Sequence, residues 1–373
     1  MGGITVTDID SSVSPPAALA ERDDAITIDE LRLATRNHGM PLEVLDLDVT
    51  PPGLHYVLVH YDIPLVDPAT WTLEVDGHVD TPLSLTAADL DTLPAASARV
   101  TLECAGNGRA RTSPRPLSQP WLDEAVGTAS WSGVRLDAIL ERAGVLPGAV
   151  DVVFTGADHG VERGVEQDYQ RALSVEEIDR GEAFLATSMN GVPLPPQHGA
   201  PLRLVVPGWY GMAHVKWLTR ITVLDHAFDG FQNATAYRIK TDPDDPGVPV
   251  TRIEPRALIR PPGFPDFQTR TRVVDAGPVT LSGRAWSGHA PIERVEVSTD
   301  DGTTWSDAEV EPAGTDPYAW RRWTARWDAE PGRTVLRVRA TDASGRSQPL
   351  EQQWNRQAMA NSHAQAVPVL VRG

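Results

Sequence analysis

Thr101-Leu-Glu-Cys-Ala-Gly-Asn-Gly-Arg109 is the stretch of the chain from which most of the interpretation follows. Its apolar beginning predicts a strand that ends at Cys104, and the two glycines allow the backbone to turn closely after that strand. We expect Arg109 to point back towards the thiol. Because a guanidinium beside a thiol lowers the pKa of the thiol, we expect Cys104 to be a thiolate.

Three roles for Cys104 remain open on these residues alone. A buried structural cysteine is the plainest, because a free cysteine often packs as a small hydrophobic residue. A nucleophile needs a nearby base. A metal ligand needs further ligands, and since this is the chain's one cysteine, a cofactor would have to supply them. A disulfide within the chain is excluded.

The composition is that of a large, acidic, globular protein. Its 373 residues are enough for two domains, and 41% of them are hydrophobic. The 51 acidic and 33 basic residues give a formal net charge of −18, which repels nucleic acid and anionic lipid. If the substrate is an anion, the active site must therefore be locally positive.

The sequence shows no sign of a membrane or export signal. No segment approaches the ~20 apolar residues that are needed to span a bilayer. Met1–Thr27 contains neither a long apolar run nor an arginine pair. We therefore expect a cytoplasmic protein that does not bind membranes.

The hydrophobic pattern divides the chain into three parts. Residues 1–44 are predicted to form an irregular polar arm, in which Pro15-Pro16 breaks any helix. Residues 45–264 combine strand and helix patterns, which predicts a mixed α/β domain. The predicted strands are His55–His60, Trp71–Val75, Val150–Phe154, Leu202–Val206 and Val215–Leu224, and the predicted helices are Ala87–Leu93 and Leu136–Ala143.

Residues 265–373 have a different pattern, which begins after a proline-rich stretch from Pro243 to Pro265. Short alternating segments follow one another, separated by turn signals such as Asp301-Gly302, and this predicts a β-sandwich. The alternating segments are Val279–Trp286, Ile292–Ser298, Trp320–Trp327 and Val335–Ala340.

Several motifs, in order along residues 45–365, resemble the sulfite oxidase family. Cys104-Ala-Gly-Asn-Gly-Arg109 is similar to the family's cysteine signature. The other matching motifs in the first domain are Tyr56-Val-Leu-Val-His-Tyr-Asp-Ile-Pro64, Gly156-Ala-Asp158, Met189-Asn-Gly-Val-Pro-Leu-Pro195, His198-Gly-Ala-Pro-Leu-Arg203, Pro207-Gly-Trp-Tyr-Gly211 and Val215-Lys-Trp-Leu218. In the second domain, Gly283–Gly288 and Ile292–Trp305 resemble the family's dimerisation domain.

The resemblance implies an α+β fold, with a mixed α/β molybdopterin-binding domain followed by an immunoglobulin-like dimerisation domain. It also implies a molybdopterin that gives two sulfurs to molybdenum, with Cys104 as the protein's one covalent ligand to the metal. The implied cofactor-binding residues are His60, Cys104, Asp158, His198, Arg203 and Lys216. The implied catalytic residues are Arg109, Tyr237 and Arg356.

Most of these residues also have a purely structural alternative. Arg203 lies within an apolar strand, where it would otherwise need an internal salt bridge. His198 would be a surface histidine, and Lys216 would extend to solvent. Asp158 would be a turn residue and Tyr237 a core tyrosine.

Two positions bear on the substrate rather than on the cofactor. Sulfite-oxidising members commonly carry an arginine two residues before the position of His60, where this chain has Leu58. The family also places an arginine of the second domain just after Trp-Asn. Arg356 matches it, to within one residue, in Trp354-Asn355-Arg356-Gln357.

The implied reaction is oxygen-atom transfer, most simply the oxidation of sulfite to sulfate by a homodimer that passes electrons to an external acceptor such as a cytochrome. The alternative enzyme is a molybdopterin reductase of a sulfoxide or similar oxide, which Leu58 favours. The alternative of another class is a binding or adhesion module with a structural Cys104.

Overall fold

The computed structural model describes residues 26–373. Most of the predicted arm, including Pro15-Pro16, lies outside these residues. The described part of the arm contradicts the irregular structure predicted for it, because helix α1 (Ile28–Ala34) forms there. A capping box starts this helix, and its Glu30 is buried in an ion pair of 2.7 Å with Arg115.

The first domain, all of it described from residue 45 onward, is built on two sheets. One sheet has the order β2-β1-β10-β5-β6, with β1 and β10 parallel. The other has the order β3-β4-β7-β8, and β9 also pairs with β7. The strands are β1 (Thr72–Gly77), β2 (Leu83–Thr86), β3 (Ala95–Glu103), β4 (Val126–Arg135), β5 (Asp151–Glu162), β6 (Val165–Ser174), β7 (Phe184–Met189), β8 (Val192–Pro193), β9 (Arg203–Val205) and β10 (Leu218–Leu224).

The helices of this domain are short. They are α2 (Ala87–Leu90), α3 (Leu136–Ala143) and α4 (Val175–Asp179). Helix α3 has the bounds that its periodicity predicts: it buries Leu136, Ile139 and Leu140 and ends at Gly144, whose φ is +69°. Helix α2 is shorter than predicted. Among the described helices, none has the length and apolar character needed to cross a bilayer.

The prediction of a strand over His55–His60 is wrong. Within the described residues, the segment makes one isolated bridge, between Val57 and His38, and forms no strand. Consecutive residues of the segment line cavities, so its alternating sequence did not reflect the two faces of a strand.

The second domain is the β-sandwich that the alternating segments predict. Its sheets have the orders β13-β16-β20-β19 and β14-β15-β22-β21-β17-β18. The strands are β13 (Arg256–Ile259), β14 (Phe264–Pro265), β15 (Arg272–Asp275), β16 (Gly277–Trp286), β17 (Ile292–Ser298), β18 (Ser306–Asp307), β19 (Glu309–Val310), β20 (Arg321–Ala329), β21 (Gly332–Asp342) and β22 (Gln365–Arg372). Since β13 pairs with β16, the sandwich already begins ahead of residue 265. A two-stranded ribbon, β11 (Arg238–Ile239) with β12 (Val248–Pro249), precedes it.

The two domains are in direct contact, through an interface that contains both apolar and polar groups. Trp286 and Trp320 of the second domain are buried against Met40, Leu45 and Tyr210 of the preceding chain. The indole of Trp320 also donates to a backbone carbonyl of the first domain at 2.9 Å. The second domain is thus packed against the segments that carry the candidate site.

Candidate active site

Cys104 lies immediately after strand β3, as its sequence predicts. Its N–H donates to the carbonyl of Ala125 at 2.9 Å, and the N–H of Asn107 donates to the carbonyl of Cys104 at 2.9 Å. Gly108 completes the turn with a φ of +87°, in the region that glycine adopts readily. The buried thiol faces two cavities. We call them the inner cavity, which also contacts Asp158 and Arg203, and the outer cavity, which also contacts Arg109.

Arg109 folds back over this turn. A Cβ atom at Gly106 would lie 2.5 Å from the guanidinium, so a side chain there would displace it. The prediction that Arg109 makes Cys104 a thiolate is nevertheless wrong for the protein by itself. Burial raises the pKa of the Cys104 thiol, and the nearby guanidinium offsets this only in part. A bound metal ion would add the positive charge that deprotonates a buried thiol.

The structure brings all six predicted cofactor residues together around the inner cavity. Arg203, on β9, donates from Nη1 to the carbonyl of His198 at 2.9 Å and from Nη2 to the carbonyl of His214 at 3.3 Å. It lies 4.7 Å from the ring centroid of Trp131 and makes no ion pair within the described residues, so the salt-bridge alternative does not apply. Burial lowers its pKa to about 10, which still leaves it charged near neutral pH.

Lys216 points inward and does not extend to solvent. Its Nζ donates to the carbonyl of Leu58 at 2.8 Å and lies 4.2 Å from the ring centroid of Trp217. Burial lowers the pKa of Lys216 and raises the pKa of Asp158. The negative charge of Asp158 partly offsets the first change, and the positive charge of Lys216 partly offsets the second. The cation and the carboxyl group therefore face one cavity as an interacting pair.

Unpartnered buried atoms show that the inner cavity is shaped for a polar ligand. Oδ1 of Asp158, Nε of Arg203 and Nε2 of His55 are buried without a hydrogen-bond partner. A Cβ at Gly156 would lie 2.5 Å from that Asp158 oxygen, so a side chain there would displace the carboxylate. A pterin with a phosphate offers acceptors to the cations and donors to the carboxylate, and these residues fit molybdopterin.

The histidines of the inner cavity include two that the sequence analysis did not name as site residues, His55 and His214. His198 is buried, with Nε2 3.0 Å from the carbonyl of Pro52, so it is not a surface histidine. Its ring lies edge-on to His55, at 5.4 Å between centroids. Burial lowers the pKa of His198 to about 2 and that of His55 to about 4, so both are neutral near pH 7. The one feature of the sequence that could have identified His55 as a site residue is its position, one residue before the Tyr56–Pro64 motif.

The outer cavity runs from Cys104 to the surface and is locally positive. Its charged lining residues are three arginines, Arg109, Arg163 and Arg356, and one carboxylate, Glu162. His60 adds a further polar group. This matches the expectation for an anionic substrate on an acidic protein. Arg356 reaches the cavity from the second domain, whereas Arg109 belongs to the first.

Tyr237 lines both cavities with His60. It follows a π-helical turn, Gln232–Ala236, and its hydroxyl lies 2.7 Å from Nε2 of His60. Burial raises the pKa of Tyr237 and lowers that of His60 to about 4, so a phenol and a neutral imidazole share this hydrogen bond near pH 7. The hydroxyl therefore reaches the site, although the ring packs partly against the core.

A buried ion-pair network lies directly behind Cys104. Arg256 of the second domain donates to Oε1 of Glu103 and to Oδ1 of Asp123, each at 2.8 Å. The indole of Trp286 donates to the other oxygen of Glu103 at 2.8 Å. Since Glu103 precedes Cys104 in the chain, this network holds the turn in place from across the domain interface.

Comparisons with known proteins agree with both halves of this structure. Residues 60–232 match the family described as "Oxidoreductase molybdopterin binding domain", and residues 264–370 match "Mo-co oxidoreductase dimerisation domain". Mitochondrial sulfite oxidase of Mus musculus is 33% identical, over 96% of this chain and 70% of that protein. Nitrate reductase [NADH] 1 of Oryza sativa subsp. japonica is 31% identical, over 84% of this chain but 37% of that protein.

Among solved structures, the sulfane dehydrogenase SoxCD from Paracoccus pantotrophus has the same fold. The two structures superpose with a TM-score of 0.77, covering 99% of this chain and 98% of that chain. Their sequences are 24% identical, so this similarity concerns the fold.

Proposed function

The chain belongs to the sulfite oxidase family of molybdopterin-dependent oxidoreductases, and from that premise we propose that it oxidises sulfite to sulfate and passes the electrons to an external acceptor. Each turnover combines sulfite with the oxygen of one water molecule and releases sulfate, two protons and two electrons. The observation that carries the proposal is the convergence of Arg109 and Arg356, from the two domains, on the cavity that ends at Cys104.

The inner cavity would hold the cofactor. Cys104 is the residue that would bind molybdenum, and Arg203, Lys216 and His198 would bind the pterin and its phosphate. Asp158 would accept from the pterin's N–H groups through its unpartnered oxygen. When bound, molybdenum supplies oxygen-atom transfer and takes up two electrons.

The outer cavity would bind the substrate. Arg109 is held by the carbonyls of Gln357 at 3.1 Å and Gln119 at 3.2 Å, so its guanidinium is fixed before the substrate arrives. A fixed cation attracts sulfite and stabilises the charge that develops on sulfate. Arg356 is exposed at the same cavity and would add a second cation from the other domain.

Tyr237 and His60 would orient and polarise the oxygen that is transferred. Their 2.7 Å hydrogen bond fixes the phenol at the boundary of the two cavities, where the substrate would meet the cofactor. A phenol placed there can donate to, or accept from, the transferring oxygen without carrying a charge of its own near pH 7.

Electron transfer and assembly are parts of the same proposal. Cys104 is the one cysteine of the chain and is assigned to molybdenum, so the chain has no thiolate set for an iron–sulfur cluster. We propose an external acceptor, such as a cytochrome. The second domain would pair with its counterpart in a homodimer.

A second candidate function is the reduction of a sulfoxide. Leu58 lines both cavities, so the wall between them is apolar at that point. An apolar wall suits a neutral substrate better than an anion. The alternative of a binding or adhesion module is wrong, because the family is enzymatic.

Kinetics of the molybdenum-loaded enzyme distinguish these functions. Sulfite would be offered with ferricyanide or cytochrome c as acceptor, and a sulfoxide with a reduced dye as donor. If sulfite is the substrate, Arg356→Met should raise the KM for sulfite roughly tenfold, by the worth of one charge-assisted contact. Arg294→Met, which removes an exposed arginine of the second domain, should not change it. If the enzyme reduces the sulfoxide but does not oxidise sulfite, the second candidate function is the correct one.

A further inference from the structure

Arg171 is a buried cation that the mechanism above does not use. It lies on strand β6 with 4% of its surface exposed, and its Nε has no hydrogen-bond partner. Within the described residues it makes no ion pair. Burial lowers its pKa, and a guanidinium remains charged in proteins. A buried charge is costly unless it is stabilised. Because no carboxylate of the described residues forms an ion pair with Arg171, other groups must stabilise its charge.

The side-chain contacts of Arg171 within the described residues are made to the turn that carries Tyr237 and to Tyr237 itself. Nη1 donates to the carbonyl of Gln232 at 2.6 Å. The same carbonyl accepts the N–H of Tyr237 at 3.3 Å, so the guanidinium and the tyrosine backbone share one acceptor. The guanidinium carbon also lies 5.6 Å from the centroid of the Tyr237 ring, within the range of a cation–π contact.

The turn itself is an uncommon structure that needs external support. Gln232–Ala236 forms a π-helical turn, which is wider than an α-helix and is often found at functional sites. Beyond it, Tyr237 has φ −102° and ψ 65°, outside the helical region. Its conformation is therefore set by contacts from neighbouring elements more than by local propensity.

Strands β5 and β6 supply that support. The side chain of Gln232 donates to Glu162 at 3.1 Å and to Gln167 at 3.2 Å. The side chain of Asn233 accepts from the N–H of Ala172 at 3.2 Å, next to Arg171 in the chain. Arg171 contributes the cation of this set and also contacts the tyrosine ring.

We propose that Arg171 is a positioning residue for Tyr237: it fixes the π-helical turn through the Gln232 carbonyl and holds the phenol ring from its rear face. Arg171 is not among the residues that line either cavity, so it acts through Tyr237 and does not touch the substrate. Its loss should therefore lower kcat and leave the KM for sulfite nearly unchanged. The kinetic part of this inference rests on the proposed sulfite oxidation, and the structural part does not.

The test compares three variants of the full-length, molybdenum-loaded enzyme. Arg171→Met removes the charge and the donors, whereas Arg171→Lys keeps a charge and a donor. Arg272→Met is the matched control, because Arg272 is also buried and also donates to backbone carbonyls, in the second domain away from both cavities. Two quantities are measured: sulfite kinetics, and deuterium exchange of the amides in a peptide that spans residues 232–237.

Arg171→Met should lower kcat roughly tenfold to a hundredfold, the worth of one charge-assisted hydrogen bond, with KM within about threefold of the parent enzyme. Exchange in the 232–237 peptide should become faster by a similar factor. Arg171→Lys should recover most of both quantities, and Arg272→Met should change neither.

Three results would overturn the proposal. One is an Arg171→Met variant with normal molybdenum content and unchanged kcat and exchange. Another is an equal loss in Arg272→Met, which would indicate general destabilisation. The third is a rise in KM at constant kcat, which would place Arg171 in substrate binding. If the parent enzyme does not oxidise sulfite, the proposed function fails, and the exchange data alone still decide whether Arg171 holds the turn.

Discussion

Replacing Arg256 with methionine should destabilise the protein, because this arginine joins the two domains directly behind Cys104. Its guanidinium binds Glu103 and Asp123 at 2.8 Å each, and it is 1% exposed. Methionine has a similar length but no charge and no donor. The substitution would leave the carboxyl group of Glu103 buried without its cation.

The size of the effect follows from the number of carboxylates that lose their partner. Asp123 keeps an ion pair of 2.6 Å with Arg111, so one uncompensated carboxylate, that of Glu103, remains. Removing one partner of a buried ion pair costs about 3–5 kcal/mol. This is a large part of the ~5–15 kcal/mol that stabilises a typical domain.

A second substitution should restore part of this loss. In Glu103→Gln/Arg256→Met the unpaired charge is gone. The indole of Trp286 and the side-chain amide of Asn107 donate to different oxygens of Glu103, so the single amide oxygen of the glutamine can accept from one of them. The double variant should therefore be more stable than Arg256→Met alone.

Urea unfolding followed by tryptophan fluorescence measures these differences in the free energy of unfolding. Arg294→Met is the control, because Arg294 is exposed and its ion pair with Asp307 contributes less than ~1 kcal/mol. Glu296, which Arg294 also contacts, keeps its two hydrogen bonds from Arg339. The reasoning is refuted if Arg256→Met loses no more stability than this control. It is also refuted if the double variant is no more stable than Arg256→Met.

Three further predictions concern the site itself. Cys104→Ser should abolish sulfite oxidation while the circular dichroism spectrum stays native, since a hydroxyl replaces a soft thiolate; a full molybdenum load with unchanged turnover would exclude Cys104 as the ligand. Leu58→Arg should lower the KM for sulfite roughly tenfold or more, through an added charge-assisted contact of about 1.5–3 kcal/mol. An unchanged KM at normal molybdenum content would mean that this side chain does not meet the substrate. Gly156→Ala should reduce the molybdenum content, because its Cβ would lie 2.5 Å from Oδ1 of Asp158, whereas Gly53→Ala, with nothing within 4 Å, should not; equal contents in these two variants would contradict the assignment of the inner cavity.

The parts of the structure that depend on local sequence could be predicted. Helix α3 has its predicted bounds because its apolar spacing and the following glycine act over a few residues. The strand that ends before Cys104 is set by the same kind of local signal. The residues around the inner cavity could be named through the resemblance to a family, because each lies within a short motif.

The parts that depend on distant contacts could not be predicted. Arg256 and Glu103 are 153 positions apart in the chain, and nothing near either residue indicates the other. The role of Arg171 depends on a turn 61 positions later. The thiolate at Cys104 was predicted from a neighbouring arginine, but the pKa of a thiol also depends on burial, which only the folded chain determines.

The most direct test of the proposed function is the stoichiometry of sulfite oxidation by the molybdenum-loaded enzyme. Sulfate is measured by ion chromatography and ferricyanide reduction by absorbance in the same reaction, at known molybdenum content. The mechanism predicts one sulfate for every two ferricyanide ions reduced, at a rate proportional to the molybdenum content. An enzyme that carries about one molybdenum per chain and forms no sulfate from sulfite would contradict it.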